Sequence, residues 1–291
     1  MRFLALVPVL CTIASLVLGF LCIFAGTKQD GSFMESYNIL TLNTSRLGQD
    51  YISDSASSWL SSLYHNATSS IASSLNSDLN SLISDVSADL GIQNFYSAHL
   101  MTYCSGSYTP TSVANASVPD SAIHKNVSHC SAQKAMFYFD PTAALERSLN
   151  NSEIAQRLNI KLADLDWPDD IEDGLRALRI AWKAAFVLYC VGVALAAVSF
   201  LASVVAFFMA GRLSAVVNIL LAILAFLALA LASAVTTAVA VKGSSVVNDK
   251  GKEIGLRAER GGKFMAITWA ATAAMFVALL VWCVDCCLGR R

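Results

Sequence analysis

Two kinds of side-chain chemistry stand out along this 291-residue chain. The first is covalent and belongs to asparagine. N-x-Ser/Thr sequons occur at Asn43, Asn66, Asn115, Asn126 and Asn150, and a glycan is attached to such sites only on the lumenal or outer side of a membrane. The second belongs to thiols and imidazoles. Cys104 and Cys130 share that sequon-bearing stretch, whereas the other six cysteines lie in or beside apolar runs. All four histidines, His65, His99, His124 and His129, fall in the same stretch, and only His124, His129 and Cys130 cluster. A His-x4-His-Cys set has the donors of a metal site, but Cys130 is better placed for a disulfide, so no metal and no cofactor are predicted. Neither G-x-S-x-G nor H-E-x-x-H occurs. The acids Asp169, Asp170, Glu172 and Asp173 fit the first turn of a helix, where they complement its dipole. The reading is therefore non-enzymatic.

Composition indicates where these residues must work. Hydrophobic residues make up 55% and charged residues 14% of the chain, with a mean hydropathy of +0.55, too apolar for a typical soluble domain. A net charge of -1 argues against nucleic acid as a partner, because a phosphate-binding surface needs clustered Lys and Arg. The apolar residues gather in four runs, 1–25, 184–210, 213–241 and 264–285, each long enough to cross the hydrocarbon core, for which about 20 helical residues suffice. The first run exceeds the usual apolar stretch of a cleaved signal peptide and is read as a retained span. Only Gly211 and Arg212 separate the second run from the third, which demands a tight antiparallel hairpin.

Between the first and second runs lies a polar segment, 26–183, and between the third and fourth a shorter loop, 242–263; six residues, 286–291, follow the last span. Arg2, Arg212, Arg290 and Arg291 would be cytosolic if the sequons face outward, against Lys242, Lys250, Lys252, Arg257, Arg260 and Lys263 outside. That distribution runs against the positive-inside rule, which is weak for long translocated domains. The sequons and the isolated cysteine pair decide for an extracellular domain with both termini in the cytosol.

The polar segment changes period several times, as a folded α+β module would. Glu35 to Ser45 alternates Tyr37, Ile39 and Thr41 against Asn38, Leu40 and Leu42, which predicts a strand. From Asp50 to Leu90 apolar residues recur every three or four positions, predicting a long amphipathic helix or helix pair. Its mean spacing of about 3.8 is nearer that of a helix packed on its own sheet than the 3.5 of a coiled-coil seam. Asn94 to Cys104 and Cys130 to Phe139 are further strand candidates. A Cys104–Cys130 bridge would tie the two together, and the intervening Ser105 to His129, with Pro110 and Pro119, reads as a solvent-facing loop. Helix resumes after Asp140 and Pro141, and Trp167-Pro168-Asp169-Asp170 reads as a fresh helix start that runs through Trp182 into the second span.

Four segments carry a family resemblance: Y-N-I-L-T-L-N-T-S-R-L-G (Tyr37 to Gly48), F-Y-S-A-H-L-M-T-Y-C-S-G (Phe95 to Gly106), A-M-F-Y-F-D-P (Ala135 to Pro141) and R-G-G-K-F-M-A-I-T-W-A-A-T (Arg260 to Thr272). Their order, with four spans and a cysteine pair, resembles the fungal Sur/PalI family of four-span plasma-membrane proteins of cortical patches, or eisosome-associated domains, which has a pH-response branch. Tyr103, Gly106, Gly262, Lys263 and Trp269 are the motif positions. The resemblance implies a distantly claudin-like outer sheet. However, no Trp lies close before Cys104, so the claudin signature is incomplete and junction or pore formation is not implied.

On this resemblance the chain organises cortical membrane domains and supports cell-wall organisation; the alternative is an accessory subunit of an ambient-pH sensing complex, and a third is a mating or fusion factor. The implied partners are membrane lipids, lateral neighbours of its own or another kind, and cell-wall components. The spans agree. Gly192 and Ala196, Ala202, Ala206 and Ala210, and Ala228 and Ala232 form small-residue ridges that let helices approach closely. Ionisable groups are absent from the central portions of the spans, unlike the path of an ion-coupled transporter. Cys286 and Cys287, beside Arg290 and Arg291, have the setting of S-palmitoylation sites. The short tail weakens the signalling alternative.

Overall fold

The computed structural model describes residues 6–26, 32–45, 47, 91–110, 119, 122–152, 156, 170–208, 212–251 and 255–288. The amphipathic stretch from Asp50 to Leu90 and the sequons at Asn66 and Asn115 lie outside the described residues. Among the described residues four helices are long and apolar enough to cross a membrane: α1 (Leu6–Phe24), α4 (Asp170–Phe208), α5 (Arg212–Gly251) and α6 (Gly262–Leu288). They form a bundle in which α1 packs on α4 and α6, and α5 packs on α4 and α6. The small-residue ridges lie at these contacts as far as they are described, Ala210 lying outside the described residues. Ala196 and Ala232 are fully buried, and a methyl group at Gly192 would meet Leu229 Cδ2 at 2.8 Å, so the ridges act within one bundle.

Two of these helices overshoot the membrane. With 39 residues in α4 and 40 in α5, each rises on the order of 60 Å, about twice the hydrocarbon thickness. The continuous helix expected from Asp170 into the second span is present. The third span is longer than its apolar run, however, and continues as helix to Gly251.

On these extensions rests an antiparallel five-stranded sheet of order β4-β3-β2-β1-β5, built from β1 (Leu40–Asn43), β2 (Phe95–Ala98), β3 (Tyr103–Thr109), β4 (His124–Cys130) and β5 (Arg257–Arg260). One helical turn, α2 (Ser32–Glu35), precedes β1. A longer helix, α3 (Pro141–Asn151), follows β4; Asp140 caps it by accepting from the Ala143 amide, and Pro141 takes its first turn.

The structure corrects the strand assignments in four places. Glu35 belongs to α2, so the first strand is confined to Leu40–Asn43. Asn94 to Cys104 is two strands, divided by a turn in which His99 N–H donates to the Thr102 carbonyl at 2.8 Å. Cys130 to Phe139 is not a strand: β4 ends at Cys130, and the chain turns away through Met136 at φ 54°. Strands β3 and β4 instead continue beyond the cysteines to Thr109 and His124, into the segment expected to be loop. The fourth correction is β5, which the loop 242–263 contributes to the sheet by pairing with β1.

β5 is an edge strand, and its free edge is covered from the helix beside it. Asn248 of α5 donates through Nδ2 to the Ala258 carbonyl at 3.0 Å and accepts from the Ala258 N–H at 2.7 Å, standing in for a further strand. Arg260 Nε adds a bond to Ser244 Oγ at 3.2 Å. The sheet is thereby fixed to the bundle along β5 and α5.

Candidate functional site

Register divides the sheet into two chemically different faces. Leu40, Leu42, Tyr96, Ala98 and Tyr103 share one face, with Leu40 and Leu42 turned toward α4 and α5. The aromatic part of this face meets α3. Tyr103 stacks with Phe137 and tilts against Phe139 at centroid distances of 6.3 and 5.9 Å, and its hydroxyl accepts from Arg147 at 3.1 Å. Tyr96 and Ser148 bond through their hydroxyls at 2.7 Å. Burial raises the Tyr96 phenol above its ordinary range.

The opposite face carries Thr41, Phe95, Ser97, Cys104, Tyr108, Lys125 and Cys130. Cys104 and Cys130 are register partners and form a disulfide, with Cα atoms 4.0 Å apart. Lys125 Nζ donates to Thr41 Oγ1 at 2.8 Å and sits 5.4 Å from the Phe95 ring centre. Its pKa is lowered by burial, against which Glu35 and Glu259 act. Burial pushes the Tyr108 phenol well up, helped by the same two acids.

Beside this face lies a buried ion pair. His99 Nε2 is 2.8 Å from Glu35 Oε2, with His99 fully buried and Glu35 nearly so. Ser97 Oγ donates to the other carboxylate oxygen, and His99 Nδ1 lies 3.2 Å from the Tyr37 carbonyl. A carbonyl only accepts, so Nδ1 carries a proton. The pair is then either imidazolium with carboxylate or imidazole with carboxylic acid, and in both forms one proton bridges Nε2 and Oε2. Gly26, at φ 75°, is seated on this ring; a methyl group there would stand 2.4 Å from His99 Cδ2.

Glu35, His99 and Cys104 bring a carboxylate, an imidazole and a sulfur within 4.8 Å of one another, yet the sulfur is bonded to Cys130 and offers no thiolate. His124 and His129 are exposed along β4, and Cys130 is in the disulfide. Sequence reading gave His99 no role. The signal available was a lone imidazole inside F-Y-S-A-H-L-M, a run otherwise fit for burial.

A second polar assembly lies inside the bundle. Tyr189 Oη is 2.5 Å from Thr268 Oγ1 and 3.1 Å from Thr236 Oγ1, and Ser233 Oγ is 2.6 Å from Thr268 Oγ1 and 3.0 Å from Thr272 Oγ1. These hydroxyls join α4, α5 and α6. Nearer the other end Asn218 accepts from Ser203 at 3.2 Å and donates to the Ala202 carbonyl at 3.4 Å. Interhelical bonds of this kind contribute about 0.6 kcal/mol each on average in a membrane.

Of the sequon asparagines, Asn126 on β4 and Asn150 on α3 are exposed. Asn43 is half-buried in β1, where its Oδ1 accepts from the Ser45 N–H at 3.0 Å and the Ser45 hydroxyl at 2.6 Å. Cys286 and Cys287 are exposed free thiols near the end of α6.

Residues 4–281 match the model of the SUR7/PalI family. The chain belongs to that family. Within this SUR7/PalI protein the motif glycines differ in what they do. A methyl group at Gly106 would fall 1.9 Å from the Asn126 carbonyl oxygen, so glycine is required for the β3–β4 approach, whereas one at Gly262 would meet nothing within 4 Å. The steric demand belongs to Gly261 instead, 1.5 Å from the Asn38 carbonyl oxygen. Trp269 is 46% exposed and donates to Thr237 Oγ1 at 3.2 Å, and Lys263 is exposed. A curated relative, SUR7 family protein pun1 of Schizosaccharomyces pombe, is 25% identical over 209 residues, 68% of this chain and 66% of that protein. The chain thus matches slightly less than two thirds of the relative's length. No solved structure matches the chain.

Proposed function

We propose that this SUR7/PalI protein is a non-enzymatic organiser of cortical plasma-membrane domains, with its sheet outside the cell and both termini in the cytosol. One observation carries the reading: the two outer connections share one sheet. β1 from the first and β5 from the second pair directly, and Asn248 fixes the result to α5. Such a unit suits holding lipids, lateral neighbours and cell-wall components in fixed relation. The central portions of the spans lack ionisable groups, which gives transport no buried charge to work with. Glycans at Asn126 and Asn150 would face the wall, and acyl chains on Cys286 and Cys287 would favour ordered membrane.

A second reading, an accessory subunit of an ambient-pH sensing complex, is favoured by the buried Glu35–His99 pair and its single shared proton. Deleting the gene separates the two. Sensitivity to wall-perturbing agents with an intact alkaline response supports the organiser; a failed alkaline response with a sound wall overturns it. A peptide N-glycosidase shift that shrinks in the N126Q/N150Q variant supports the outward sheet, and a tag at the sheet end that remains protease-protected in intact cells overturns it.

A further inference from the structure

Where the sheet meets the bundle there is a groove of about 260 Å³. β1 supplies Leu40 and Leu42, α4 supplies Leu178, and α5 supplies Ala238, Lys242 and Gly243; every other lining side chain is apolar. Buried apolar cavities in a protein core are normally filled, because the lining atoms lose contacts across a void. This one is kept open by a choice of small residues. A methyl group at Gly243 would lie 3.8 Å from Leu178 Cδ1 and from Leu40 Cδ2, in ordinary contact. Neither backbone nor sterics therefore requires glycine, and glycine inside a helix is less favourable than alanine.

The lower end of the groove, at Ala238, adjoins the exposed apolar face of the third span. Leu224, Leu231 and Ala238 follow one another at seven-residue intervals and lie on the same side of α5. Leu224 and Leu231 are 51% and 55% exposed, within an apolar span where lipid is the only medium. The same side of α5, followed upward, runs into the groove at Ala238. About one helical turn beyond Ala238 stands Lys242, the one charged lining residue, which has no ion-pair partner among the described residues; Val246 and Val247 continue the lining past it. The neighbouring cation Arg179, by contrast, is matched by Asp140 at 3.9 Å.

We propose that this groove binds one acyl chain of a lipid from the leaflet on the sheet side, with a phosphate-bearing anionic headgroup held at Lys242. A volume slightly below the usual range of roughly 300 to 1,000 Å³ for small-molecule pockets suits a single flexible chain. The inference rests on the chain being embedded in a membrane. It is independent of whether that membrane forms cortical patches, so a failed lipid test and a failed localisation test are separate results.

The test is native mass spectrometry of the purified full-length protein titrated with phosphatidylinositol or phosphatidylcholine, alongside a phosphatidylinositol bearing a photoactivatable acyl chain whose attachment site is mapped. The expected result is one tightly retained phosphatidylinositol, preferred over phosphatidylcholine, cross-linked to groove residues. Gly243→Leu, which places a branched chain in the groove, should weaken retention by about tenfold or more, since displacing two or more methylenes has that worth. Gly243→Ala should leave retention unchanged. Lys242→Gln, at an exposed position that does not endanger folding, should weaken phosphatidylinositol by about fivefold and leave phosphatidylcholine unchanged. Labels spread around the whole lipid belt, equal retention of the two lipids, or unaltered retention in folded Gly243→Leu would overturn the proposal. If Gly243→Leu does not fold, an unaltered Lys242→Gln preference overturns it alone.

Discussion

The Glu35–His99 pair gives the sharpest prediction, because both groups are out of water and each is the other's hydrogen-bond partner. Replacing His99 by Leu leaves the Glu35 carboxyl group buried with Ser97 as its remaining side-chain donor among the described residues. Replacing Glu35 by Met leaves an imidazole whose Nε2 has lost its acceptor, with Nδ1 still on the Tyr37 carbonyl. Removing one member of a buried pair costs about 3–5 kcal/mol. Removing both leaves an apolar contact in place of the pair and takes the His99 donor from the Tyr37 carbonyl, which costs about 1–3 kcal/mol. The double variant should therefore be no worse than either single one, with a coupling energy of about 3 kcal/mol or more. At roughly 2–4 °C per kcal/mol for chains of this order of length, each single variant should lose on the order of 10 °C in Tm, and the double variant less. Thermal unfolding of the purified protein in detergent, followed by tryptophan fluorescence, reads all four corners of the cycle. Additive losses would refute the claim that the two residues act as a unit.

Gly261→Ala should cost more than about 3 kcal/mol, since its methyl group would overlap a backbone carbonyl that cannot rotate aside, while Gly262→Ala should stay within about 0.5 kcal/mol; the same unfolding assay compares them. Replacing Cys104 and Cys130 together by Ser should cost about 3.5 kcal/mol, from the loop entropy of a bridge 26 residues apart in sequence, and should abolish the mobility difference between reduced and unreduced protein on gels. Stability should depend on alkaline pH through two groups of opposite sign. Lys125 titrates below its ordinary 10.5 in the folded protein, so the unfolded chain binds more protons between those two values and stability rises with pH across that window. Tyr108 titrates above its ordinary 10.0 when folded, so the folded chain keeps its proton longer and stability falls as pH rises past 10. Tm measured against pH should lose its rising limb in Lys125→Met and have a shallower falling limb in Tyr108→Phe; unchanged profiles would contradict the burial of these two groups.

Hydropathy made the four spans readable, because a bilayer permits little besides long apolar helices. The continuity of α4 from Asp170 through Trp182 into the second span was equally open to reading. The strands were harder. Tyr138 and Phe139, strong strand formers, drew the reading past Cys130, where they serve instead as a platform: Tyr138 lies under Arg179 at 4.2 Å and Phe139 packs on Tyr103. The actual strand, H-K-N-V-S-H-C, does alternate, with Lys125 and Val127 turned inward between exposed neighbours, but a lysine on the inner side hides the period. β5 had no local signal at all. R-A-E-R is a strand because β1 and Asn248 hold its two edges, which is a tertiary cause. For the same reason His99 could not be paired with Glu35, 64 positions away, before the β1–β2 register was known.

Fluorescence recovery after photobleaching of a tagged full-length copy, expressed at its native level, decides whether this SUR7/PalI protein holds part of the cortical plasma membrane in a fixed arrangement, as proposed. Discrete plasma-membrane patches that stay in place and fail to recover over minutes are expected. A uniform membrane signal that recovers within seconds would contradict the proposal.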